Sequence, residues 1–198
     1  MKHILIRLSI LAALVLPLVP ISGVRADETV SSRLEILAAP STVAIMRHAL
    51  APGTGDPGAF RLGDCATQRN LDARGRAQAR AIGAAIRASG VQIDRVLTSQ
   101  WCRCRETAAL LDVGPVEDAP MLNSFFEDRS TADDQTDALR AFLAALPPDE
   151  TVMLVTHQVN ITVLTGRGVS SGEVFVIRSG PDAGPDSGTV MDEILIDP

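Results

Sequence analysis

The sequence predicts an α/β fold, a three-layer sandwich with a central, mostly parallel sheet. Three observations predict it. Short apolar runs rich in β-branched residues alternate with longer amphipathic stretches. The 198 residues, 46% hydrophobic and 21% charged, suit one folded domain rather than a disordered chain. Aromatic residues make up only 3%, so the core has to come from Ala, Val, Leu and Ile. The formal charge of −6 argues against nonspecific nucleic-acid binding, which needs a basic face. It leaves room for a small cationic cleft and an anionic ligand.

Residues 1–26 read as a secretory signal peptide. Lys2, His3 and Arg7 precede an apolar run from Leu8 to Val19, and Val24-Arg25-Ala26 puts small residues where a signal peptidase reads. The run is short for a membrane span. Cleavage after Ala26 would take the formal charge from −6 to −9, leaving a periplasmic or secreted protein with no stable membrane insertion. Residues 27–40 are expected to be a flexible leader, and 41–198 a single domain.

Within that domain, Thr42–Met46 is a buried strand ending at Arg47-His48. Ala51–Gly58 is a Pro/Gly loop that lacks the Gly-Lys-Ser/Thr ending of a phosphate-binding P-loop. Asp72–Ser89 is a helix with Leu71, Ala79, Ile82, Ala85 and Ile86 as its apolar stripe, stopped by Gly90; Arg74, Arg76, Arg80 and Arg87 form its solvated face. Val91–Thr98 alternates as a second strand, followed by a helix over Gln100–Leu111. A third helix spans Asp133–Leu146, capped by Thr131 or Asp133 and closed by Pro147-Pro148. Thr151–Val155 is another buried strand, ending at Thr156-His157, with a short helix over Gln158–Thr165. Val174–Arg178 and Thr189–Ile196 are two late strands joined by a Gly/Pro/Asp turn.

Three cysteines remain in the domain, Cys65, Cys102 and Cys104. Three thiols allow one bridge and one leftover, and the sequence alone does not choose the pair; Cys102 and Cys104, two apart on a helix and facing different sides, make a poorer pair than Cys65 with either. Their spacing with histidine matches no usual zinc site.

Ligands of open α/β sheets bind beyond the carboxyl ends of strands, and His48 and His157 both fall at such ends. A neutral imidazole is a nucleophile once a partner orients one ring nitrogen. Arg47 beside it offers a rigid fork that matches phosphate oxygens. Ser99, Arg103 and Thr107 recur at four-residue spacing where the second strand becomes a helix, so they share a face, with Arg103 in the first turn. That helix N-terminus itself favours an anion. His157 can donate to a phosphoryl oxygen and stabilise charge during transfer.

These residues resemble the histidine phosphatase superfamily, in its phosphoglycerate-mutase-like branch. Arg47-His48 corresponds to that family's Arg-His-Gly after the first strand. Ser99, Arg103, Thr107 and Ala108 correspond to its Ser-x-x-x-Arg-x-x-x-Thr-Ala helix start, Leu71 to Ala79 to its Leu-Thr-x-x-Gly-x-x-Gln-Ala, and His157 to its second histidine. The likeness runs from about Thr42 to Ile196. Departures are Ala49 for Gly, Gln100 for the usual proline and Thr156 for a frequent glycine; none removes a charge.

The resemblance implies a phosphoglycerate-mutase-like fold and a phosphatase acting on a small phosphorylated substrate. His48 would attack phosphorus, Arg47, Arg103 and His157 would hold the phosphoryl oxygens, and a carboxylic acid would protonate the leaving oxygen. Glu127 is favoured over Asp128 as that acid. Neither a metal nor a cofactor is implied. Arg61, Arg69 and Asn70 lie in the loop after His48, and Asn70 with Arg69 adjoins the helix start, better placed than Arg61 to reach a phosphate oxygen. A bridge from Cys65 to Cys102 would tie this loop to the pocket wall. The rival readings are a phosphomutase, a catalytically weak phosphate- or sugar-phosphate-binding module, and a phosphatase of lipid-linked sugar phosphates.

Overall fold

The computed structural model describes residues 30–196. The signal-peptide expectation lies outside those residues. Among the described residues no helix is long and apolar enough to cross a membrane.

Six strands form one sheet: β1 (Thr42–Arg47), β2 (Arg95–Thr98), β3 (Val116–Asp118), β4 (Val152–Thr156), β5 (Val174–Arg178) and β6 (Val190–Ile194), in the order β3-β2-β4-β1-β5-β6. Pairs β2–β3, β2–β4 and β1–β4 are parallel; β5 runs antiparallel to both β1 and β6. The sheet is therefore mixed, with its parallel part holding the two strands that lead into histidines.

Four helices cover its faces: α1 (Ala73–Ala88), α2 (Cys102–Leu111), α3 (Ala132–Ala145) and α4 (Gln158–Thr165). Alternation along the strands sorts the core into two halves. Ala44, Met46, Val96, Met153 and Val155 pack with Ile82, Ile86, Ala108 and Leu111 of α1 and α2. Val43, Ile45, Leu97, Val152 and Leu154 pack with Leu139, Leu143, Ile161 and Leu164 of α3 and α4. Strands buried on both faces read as unbroken apolar runs, which is why β1 and β4 were conspicuous in the sequence.

Local chemistry fixes the helix ends. The Asp72 carboxylate accepts from the Gly75 amide at 2.8 Å and caps α1. Arg87 donates to the carbonyls of Leu111 and Asp112 at 2.6 and 2.7 Å, satisfying the end of α2. α3 stops at Leu146, which is extended because Pro147 follows. At Gly75 a Cβ would lie 1.9 Å from the Leu50 carbonyl oxygen, so only glycine lets α1 approach the segment after His48 this closely.

Three expectations need correction. The leader over 27–40 is not loose from residue 30 onward. Leu34 and Leu37, on a helical turn running into the 3-10 turn Glu35–Ala38, are 0% and 1% exposed and close the α1/α2 side of the core. The strand expected over Val91–Thr98 pairs only from Arg95, and Thr189–Ile196 only over Val190–Ile194. β3 was not anticipated, because all three of its residues are exposed and carry no apolar alternation.

A disulfide joins Cys65 to Cys102, closing a loop between residues 37 apart, and Cys104 is free and buried. Reduction, or Cys65→Ser, is expected to lower unfolding free energy by about 4 kcal/mol. Urea denaturation with and without a dithiol checks this; coincident midpoints would show that the bridge adds no stability.

Candidate active site

Register sets the site. Arg47 pairs with Thr156 across the parallel β1–β4 ladder, so the next residues, His48 and His157, leave adjacent strand ends side by side. The His48 amide donates to the Thr156 carbonyl at 2.9 Å, and the Ser99 amide, just past β2, to the Val155 carbonyl at 3.0 Å. The two imidazole centroids lie 5.5 Å apart.

Both rings are oriented from behind. His48 Nδ1 lies 2.8 Å from the Ala49 carbonyl, an acceptor only, so Nδ1 carries the proton. Its Nε2 then holds a lone pair, and Arg103 Nε donates to it at 3.2 Å. His157 Nδ1 accepts from Arg103 Nη2 at 3.4 Å, and its Nε2 lies 2.8 Å from Ser99 Oγ. Ser99 Oγ in turn donates to Asn123 Oδ1 at 3.3 Å. Burial, then the Arg103 charge, pushes His48 well below its ordinary pKa of 6.5. Burial, then His48 and Arg103, does the same to His157. Both rings are neutral at pH 7.

Thr107 ties α2 to the backbone just after His48. Its hydroxyl donates to the Arg103 carbonyl at 2.7 Å and accepts the Ala49 amide at 3.1 Å. Ala49 is 0% exposed, so its methyl group is accommodated where the related motif has glycine.

Arg47, His48, Arg103 and His157 thus line one cavity of about 120 Å³. Arg47 Nη1 donates to the Val169 carbonyl at 3.3 Å, while its buried Nε has no hydrogen-bond partner among the described residues. Glu127 stands at the mouth on an exposed loop, opposite Gly55. Asp128 does not line the cavity; its carboxylate caps the 3-10 turn Arg129–Thr131 by accepting the Ser130 amide at 2.9 Å.

Asn70 stays outside this group. Its amide donates to the Cys65 and Gln68 carbonyls at 2.7 and 3.0 Å, on the disulfide side of the loop. Arg69 enters the cavity instead, braced by the Gly55 carbonyl at 2.8 Å and the Ala51 carbonyl. Arg61 is exposed and paired with Asp64 at 2.7 Å.

Asp56 also lies in the cavity and was missed. It pairs with Arg103 at 2.7 Å, the two side chains being 8% and 4% exposed. Burial opposes its ionisation, but Arg103, the Arg69 amide and Trp101 hold the carboxyl below its ordinary range. No signal near Asp56 in sequence could have found it, since Arg103 and Trp101 are more than 40 residues away. Cys104 lies 3.5 Å from His157 Nε2, and burial pushes its thiol up to about 12, so it is an inert wall. Among the described residues no group of three His, Cys, Asp or Glu side chains is placed to hold a metal ion.

Chemically, the cavity brings together an imidazole lone pair on His48, three guanidiniums and a second imidazole, a set able to receive a small tetrahedral anion. Residues 43–126 match the family model described as the histidine phosphatase superfamily (branch 1). No curated protein matches the chain in sequence. Solved structures share the fold. A SixA protein from Nakamurella multipartitia is 23% identical, with TM-score 0.56 over 80% of this chain and 97% of its own. The product of open reading frame Rv3214 of Mycobacterium tuberculosis is 14% identical, with TM-score 0.56 over 79% and 96%. The protein histidine phosphatase SixA complexed with tungstate is 19% identical, with TM-score 0.50 over 77% and 96%.

Proposed function

We propose that this chain, a member of the histidine phosphatase superfamily (branch 1) through residues 43–126, hydrolyses a phosphomonoester through a phosphohistidine on His48. One observation carries the reading: His48 Nε2 and His157 Nδ1 both accept from the same buried guanidinium, Arg103. A nucleophilic lone pair therefore lies against the guanidinium that would stabilise phosphoryl charge, and His157 holds that guanidinium from its other side.

In the first step His48 Nε2 attacks phosphorus. The P–N bond forms as the ester P–O bond breaks, and the leaving oxygen takes a proton from Glu127. Water then attacks phosphorus as its proton passes to the Glu127 carboxylate, the P–N bond breaks, and inorganic phosphate leaves with His48 and Glu127 both restored. Arg47, Arg69 and Arg103 outnumber the Asp56 and Glu127 carboxyl groups, so the cavity keeps a net positive charge that favours a monoester dianion and the charge it keeps in transfer.

The cavity of about 120 Å³ suits a phosphoryl group and little more, so the rest of the substrate stays at the mouth near Ser124, Phe126 and Glu127. That openness admits a small ester or a phosphoryl group displayed on a larger molecule. A phosphohistidine-bearing protein, the substrate class in the name of the SixA neighbour, belongs in the second group. An exported, periplasmic location is part of the proposal. The signal-like residues 1–26 and the Cys65–Cys102 bridge support it, since disulfides persist in oxidising compartments.

A screen of phosphomonoesters and phosphohistidine peptides, run beside His48→Ala, tests the reading. Turnover of none of them by the wild-type chain would end it. Glu127→Gln is expected to slow alkyl phosphates on the order of 10²-fold and aryl phosphates far less, because only poor leaving groups need the proton. Equal slowing of both would place the donor elsewhere.

A further inference from the structure

The steps above assign Asp56 no bond and no proton, yet it is tightly held on the cavity floor. Its Oδ1 accepts the Arg69 amide at 3.0 Å, its Oδ2 accepts Trp101 Nε1 at 3.0 Å, and Arg103 Nη1 donates to both oxygens at 2.7 and 3.1 Å. Buried charges are tolerated when paired and fully hydrogen-bonded, and this one is. Arg103 in turn directs Nε at His48 and Nη2 at His157. A guanidinium is a rigid plane, so clamping one nitrogen fixes the aim of the other two. The neighbouring charges of Arg47 and Arg69 would otherwise push Arg103 away.

We infer that Asp56 is a positioning residue: it clamps the outer edge of Arg103 so that Nε and Nη2 face the two histidines and the phosphoryl group between them, with Trp101 bracing the carboxylate. This rests on the phosphatase reading above. Trp101 suits the brace because its ring also meets His157 edge-on at 5.4 Å and stacks on Phe60 at 5.0 Å, which leaves it little freedom.

The test compares wild type, Asp56→Asn and Trp101→Phe as full, oxidised chains. It reads kcat on aryl and alkyl phosphates, and affinity for inorganic phosphate and for orthovanadate by calorimetry. Vanadate adopts the five-coordinate geometry of transfer and phosphate does not, so mis-aimed donors separate the two. Asp56→Asn is expected to lower kcat on the order of 10²-fold for both leaving groups. Vanadate should weaken in step, while phosphate binds as well or more tightly because a negative charge is gone. Trp101→Phe should move kcat and vanadate the same way by a smaller factor.

A kcat within about twofold of wild type overturns the inference. So does slowing confined to alkyl phosphates, which would make Asp56 a proton donor. Parallel loss of kcat, phosphate affinity and melting temperature would make it merely structural. Should the wild-type chain turn over neither esters nor phosphohistidine peptides, the phosphatase reading falls. Asp56 is then judged on the vanadate-to-phosphate affinity ratio alone, and a ratio unchanged in Asp56→Asn overturns it.

Discussion

His48→Ala is expected to reduce turnover of an aryl phosphate by at least on the order of 10³-fold while the chain stays folded. The ring makes one backbone hydrogen bond, to Ala49, one bond with Arg103 and an edge contact with His157, so its loss leaves a small polar gap rather than a collapsed core. No neighbour can take over the attack. His157 is held by Ser99 through the nitrogen opposite Arg103, and the Cys104 thiol is pushed up to about 12 and stays protonated. Rapid quenching of the wild type with labelled substrate should trap an acid-labile phosphoprotein that His48→Ala lacks. Residual activity within about tenfold of wild type, or label on another side chain, would remove the nucleophile assignment.

Arg103→Ala should damage both activity and stability. It removes the guanidinium that both imidazoles address, with an expected kcat loss on the order of 10³-fold. It also strands the Asp56 carboxylate, 8% exposed, without its ion partner, at a cost of about 3–5 kcal/mol. The two losses separate in the double variant Arg103→Ala/Asp56→Ala. Denaturation should show stability largely recovered, because no unpaired charge remains, while turnover stays at the single-variant level. A double variant as unstable as the single one would mean that the cost lies in packing rather than in the charge.

The sequence made the centre of this molecule legible and left its margins obscure. β1 and β4 were readable because both faces of each are buried, and the histidines that follow them inherited a known place in an open α/β sheet. Arg103 was readable through helical spacing with Ser99 and Thr107, whose hydroxyls do meet the site's backbone and His157. β3 was invisible because its pairing is carried by backbone alone. The segment before β1 was misjudged because one short pair, Leu34 and Leu37, is too little periodicity to announce a core contact. Choosing between Arg69 and Asn70 required knowing which way adjacent loop residues turn, and no pattern in an irregular loop encodes that. Asp56 depended on partners brought near only by the finished fold.

The bare α-carbon of Gly75 against the Leu50 carbonyl has a consequence for how such a site can diversify. Any side chain there has to displace the backbone two residues beyond His48, so this side of the cavity tolerates no experimentation. The rim is different: exposed Thr54 and Phe126, with half-buried Ser124, border the opening from loops between strands and helices. On the phosphatase reading, new leaving-group preferences can therefore be acquired by rewriting the doorway while the Gly75 side stays frozen.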